Sequence, residues 1–135
     1  MARPLFSLAC IALEEVLIQP GDDIVDIIAK RDLSDIDGIF TAGGDGTHAA
    51  AFNGLVQHRL LYLGSENPAN LDFIDPIIPK LDIPIGILPT GSGNGTSFAL
   101  NMTHDLQSCV VNVILGNKRW DQLTKAFYQL ATFFK

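Results

Sequence analysis

Phe40-Thr41-Ala42-Gly43-Gly44-Asp45-Gly46-Thr47 decides the fold of this chain. The β-branched and aromatic residues of 38–42 read as a buried strand, and residues 47–56 read as a helix. A strand, a glycine loop and a helix in that order can hold phosphate. Glycine permits φ > 0 and close approach of a ligand's oxygens, and the free N–H groups and dipole of the following helix favour negative charge. Asp45 is the odd member. A carboxylate in an anion cradle needs a metal ion or a hydroxyl proton beside the phosphate. Taken alone, the loop also reads as a tight turn with Asp45 as the N-cap of its helix.

A second loop of the same kind follows about forty residues on. Residues 83–88 read as another buried strand, and Pro89-Thr90-Gly91-Ser92-Gly93-Asn94-Gly95-Thr96 opens into a helix over 97–101. In open α/β sheets, ligands lie outside the carboxyl ends of the strands, so two adjacent loops of this type are expected to face one another across a phosphate crevice.

The 135 residues, 47% apolar and 18% charged, describe one compact domain with a sizeable core. The net charge of −6 speaks against a nucleic-acid partner or an anionic membrane held by bulk electrostatics. Cys10 and Cys109 lack CxxC spacing and sit in apolar runs, which predicts reduced core thiols in a cytosolic protein. No apolar run reaches the roughly twenty residues that span a bilayer, and residues 3–13 read as folded structure rather than a signal sequence. The sequons at Asn94 and Asn101 read as chance matches.

Along the chain, residues 5–12 read as the end of a helix, 15–18 as a strand, and Asp22 as N-cap of a helix whose Ile24, Ile27 and Ile28 share a face. Residues 60–81, with Gly64, Pro68, Pro76 and Pro79, read as an irregular insertion. Thr103 is the expected N-cap of a helix in which Leu106, Cys109, Val110, Val113 and Ile114 form one apolar face, closed by Gly116. His48 is expected to be a polar residue on its helix. Trp120, Leu123, Phe127, Leu130 and Phe134 recur at helical spacing, so 122–135 reads as an amphipathic tail.

These residues also carry a resemblance. Residues 40–47, then Asn53-Gly54-Leu55, then Ile85-Gly86-Ile87-Leu88-Pro89-Thr90-Gly91-Ser92-Gly93-Asn94, resemble the catalytic domain shared by diacylglycerol, sphingosine and ceramide kinases. The resemblance covers roughly residues 5–121, which with the first four residues make a partial catalytic domain over 1–121 before the tail. It implies an α/β layered domain akin to phosphofructokinase and an ATP-dependent lipid kinase using Mg²⁺. It further implies that Gly43, Gly44, Asp45, Gly46 and Thr47 form the nucleotide phosphate loop, and that Gly91, Ser92, Gly93 and Asn94 form the second. Asp45 is the implied catalytic residue, acting through Mg²⁺ or on the lipid hydroxyl's proton.

The sequence also departs from that family. The first strand with its Asn-Pro-x-(Ser/Ala)-Gly loop and the C-terminal β-sandwich are not found here, and Ile18-Gln19 stands where Thr-Glu is common, so the chain reads as truncated. Two further readings stay open: a non-catalytic module that keeps the fold and binds through its tail, and a soluble-substrate kinase like the NAD kinases, which also carry GGDG. Lys118, Arg119 and Lys125 beside the aromatic residues of the tail suggest peripheral membrane contact.

Overall fold

The computed structural model describes residues 2–64 and 80–116. In chain order its elements are α1 (Ala2–Leu8), α2 (Ile24–Ala29), β1 (Ile39–Gly43), α3 (Asp45–Tyr62), β2 (Ile85–Pro89), α4 (Gly95–Asn101) and α5 (Leu106–Ile114). Among the described residues, the sheet consists of β1 and β2, paired in parallel from Ile39 opposite Ile85 to Gly43 opposite Pro89. That register brings both glycine loops to the same end of the sheet.

Because side chains alternate along a strand, each face of this sheet collects its own helices. On one face Ile39 and Ile85 join Ile28, Ala51 and Leu55 of α2 and α3, and Ile87 meets Phe52 and Val56. On the other, Phe40 and Leu88 pack with Phe6 of α1 and with Cys109 and Val110 of α5. Phe6 is 1% exposed and stacks on Phe40 at 4.7 Å between ring centroids. Burying such a ring contributes about 1.5–3 kcal/mol. The result is a two-strand parallel sheet with helices on both faces, an α/β arrangement as expected. Two glycines set the layer spacing. A Cβ on Gly86 would lie 2.7 Å from Val113 Cγ2, and one on Gly54 would lie 2.8 Å from Ile28 Cβ.

Several expectations are corrected. Residues 15–18 form no strand: a strand is stabilised by a neighbour's ladder, and β1 pairs only with β2 among the described residues. Glu14 and Glu15 instead form ion pairs with Arg31 and Arg3, leaving Val16 and Leu17 exposed. The first helix ends at Leu8, and Cys10 is exposed in a left-handed conformation (φ 57°), while Cys109 is buried as expected. Asp23, not Asp22, caps α2, accepting from the Val25 and Asp26 amides; Asp22 accepts from Gln19 instead. Asp105, not Thr103, caps α5 through Ser108, and Thr103 receives the Asp105 amide. Helix α3 starts two residues earlier than expected and runs on through Tyr62, taking in the start of the 60–81 segment. Residues 65–79 of that segment, and the tail 122–135 with Lys118, Arg119 and Trp120 before it, lie outside the described residues.

Candidate nucleotide site at the two glycine loops

The two loops touch. The Gly43 carbonyl, at the end of β1, accepts the Thr90 amide at 3.2 Å and the Gly91 amide at 3.1 Å. Backbone packs on backbone beyond that point: a Cβ on Gly91 would lie 2.4 Å from Gly44 Cα and 2.8 Å from Gly44 N. Glycine is required at 91 by this approach and not by its dihedrals. Among the described residues the positive-φ glycines are Gly21, Gly64 and Gly116, so the expectation that the loop glycines exploit φ > 0 is corrected. The left-handed residue in the second loop is Asn94 (φ 53°), whose side chain clamps its own loop. Its Oδ1 accepts from the Gly91 amide at 2.9 Å, and its Nδ2 donates to the Gly91 carbonyl at 2.6 Å.

Asp45 occupies the junction. Gly44 is the N-cap of α3, so Asp45 stands one residue inside the helix and does not cap it. It caps α4 instead, from the other loop. Oδ1 accepts the Thr96 amide at 2.8 Å and Oδ2 the Gly95 amide at 3.1 Å, while α4 has no side-chain cap of its own. Partial burial pushes the Asp45 carboxyl up, but the Thr96 amide and side chain together with the Gly95 amide outweigh it and hold the group below the usual carboxylate range. It is therefore ionised at neutral pH, with a negative charge at the amino ends of two helices.

The remaining residues divide. The Thr47 side chain packs against Gly43, where a Cβ would meet it at 2.6 Å. Gly46, Ser92 and Gly93 are exposed. The first-turn amides of α3 have no intrahelical acceptor, and Gly44 supplies no side-chain cap, which leaves them as donors for an anion. Among the described residues no group of three His, Cys, Asp or Glu side chains could hold a metal ion, so Asp45 is a single carboxylate. That is enough for Mg²⁺, which keeps several waters and binds through one or two carboxylates together with substrate phosphates.

His48 lies on α3 and turns inward. It is fully buried under α3, with Nδ1 2.7 Å from Thr41 Oγ1 on β1. Burial lowers its pKa, with the Asp45 charge opposing, so the imidazole is neutral at pH 7. The alternation of β1 puts Thr41 on the α3 face, a signal that could have identified the pair. Nothing local in the sequence marks the bond from Asp45 to α4.

The family model of the diacylglycerol kinase catalytic domain matches residues 1–126. Among curated proteins, the chain is 24% identical over 116 residues to the ceramide kinase of Mus musculus, covering 84% of this chain and 21% of that protein. It is 30% identical over 106 residues to sphingoid long chain base kinase 4 of Schizosaccharomyces pombe (78% and 19%), and 29% over 121 residues to sphingosine kinase 2 of Arabidopsis thaliana (87% and 22%). The chain spans about a fifth of the length of these relatives. No solved structure matches it. With a match that runs through both of the loops that meet at Asp45, the chain belongs to the diacylglycerol kinase catalytic domain family.

Proposed function

We propose that this chain is the nucleotide-binding part of an ATP-dependent lipid kinase that phosphorylates a lipid hydroxyl on a sphingoid base, ceramide or diacylglycerol. The observation that carries this reading is the junction itself: two glycine loops in backbone contact, with an ionised carboxylate between them. In this reading the residues of 43–47 and 91–94 surround the nucleotide phosphates. The first-turn amides of α3 donate to phosphate oxygens, and Asn94 keeps the second loop closed without itself reaching the ligand. Mg²⁺, when bound, would neutralise phosphate charge, and Asp45 is the carboxylate of this site that would hold it. Phosphoryl transfer joins the acceptor oxygen to the γ-phosphorus, releases ADP and frees the hydroxyl proton, and Asp45 is alternatively the base that takes it. Such chemistry rests on positioning and charge neutralisation, which loops and one carboxylate provide.

A non-catalytic reading has one observation in its favour, that both Asp45 oxygens already serve α4. The NAD-kinase-like reading gains nothing from the structure, and the curated relatives bear lipid-kinase names.

The test is a calorimetric titration of Mg-ATP into the purified chain, beside Asp45→Asn. Saturable, Mg²⁺-dependent binding that weakens in the variant supports the reading, and no binding by a chain shown to be folded sinks it. Phosphate transfer from labelled ATP to sphingosine, ceramide or diacylglycerol by the full-length protein then separates catalysis from binding alone.

A further inference from the structure

Helix α4 is held in an unusual way. Its seven residues lie between two left-handed non-glycine residues, Asn94 (φ 53°) and Met102 (φ 57°). Non-glycine residues pay a steric cost there, and such strain collects at segments that switch. Its far end is tied to the sheet, because Asn101 Nδ2 donates to the Ile87 carbonyl and to Ser97 Oγ, each at 3.1 Å. Its near end depends on the Asp45 carboxylate from the other loop.

We propose that Asp45 is a latch on α4. In the arrangement seen here its carboxylate holds the first turn of α4 against the first loop; binding of a nucleotide with its divalent cation draws the carboxylate away and lets that turn shift about Asn94, with Asn101 as the fixed end. The proposal rests on the nucleotide-binding reading above and adds a conformational consequence to it. A ligand moves such an equilibrium only through its differential affinity for the two arrangements. Here the difference is a divalent cation competing with two neutral amides for the same carboxylate.

The experiment follows the Gly95 and Thr96 amide resonances of the isotopically labelled chain during titration with Mg-ATP, with the Ile87 amide as reference. The same resonances are recorded in nucleotide-free Asp45→Ala and, should that variant fold poorly, in Asp45→Asn. The expected result is a shift of Gly95 and Thr96 that follows the binding curve and moves toward their positions in the nucleotide-free variant, while Ile87 stays in place. Saturation by Mg-ATP with Gly95 and Thr96 unmoved overturns the latch and leaves the nucleotide site standing. Absence of binding by the folded chain overturns both.

Discussion

The carboxylate of Asp45 caps a helix whose Thr96 amide it reaches at 2.8 Å from 51 residues away in the chain. With the Gly95 amide on the other carboxylate oxygen and the Gly43 carbonyl accepting from Thr90 and Gly91, this bond ties the two glycine loops together. Asp45 therefore has a structural role as well as any chemical one. Loss of a helix cap costs about 0.5–2 kcal/mol. Asp45→Ala should lower stability within that range in urea unfolding, and Asp45→Asn, which keeps an acceptor oxygen, should lose less. Equal stability of Asp45→Ala and wild type would show that the amides of α4 do not depend on this carboxylate.

Gly91 and Gly44 should respond unequally to alanine. A Cβ at 91 meets backbone at 2.4 Å, whereas one at 44 meets Gly91 Cα at an ordinary 3.6 Å. Forcing a methyl into a packed site costs roughly 1–3 kcal/mol, so Gly91→Ala should lower the urea midpoint and weaken Mg-ATP binding. Gly44→Ala should stay within about 1 kcal/mol of wild type. The reverse order would mean that the loops do not pack backbone to backbone.

Gly54 offers a case in which helix propensity and packing oppose each other. Within an exposed helix, Gly→Ala would stabilise by about 1 kcal/mol. At 54 the new methyl would sit 2.8 Å from Ile28 Cβ and 3.0 Å from the Val25 carbonyl, where α2 crosses α3. Gly54→Ala should therefore lower the melting temperature. A rise would show that α2 can move away freely.

Stability should fall in acid in two stages. Burial holds the His48 imidazole below its ordinary value of 6.5, so between these values the unfolded chain binds the extra proton and stability declines as pH drops below about 6.5. Asp45 and Asp105 are held below the ordinary aspartate value of 3.8, so their contributions remain above it and are lost as pH falls through their lower folded values. His48→Gln should abolish the first stage and spare the second, as read by unfolding free energy against pH. An unchanged first stage in that variant would remove His48 as its source.

The two strands and the loops that follow them were legible because β-branched runs bounded by glycine are local signals, and so was the apolar face of α5. Local signals misled where a partner was needed. Residues 15–18 have strand composition but no ladder to join among the described residues, and Asp23 and Asp105 carry the caps expected of Asp22 and Thr103. His48 reads as polar in sequence and is buried because Thr41 receives it.

The sequence by itself determined the α/β class and the identity of the loop residues, because those depend on side-chain pattern and glycine content over a few neighbours. The tertiary structure decided what the loop residues contact. Only the parallel register of β1 on β2 brings Gly44 against Gly91 and the Asp45 carboxylate to the amides of α4. Contacts between residues some fifty positions apart depend on how whole elements pack, and no local pattern encodes them.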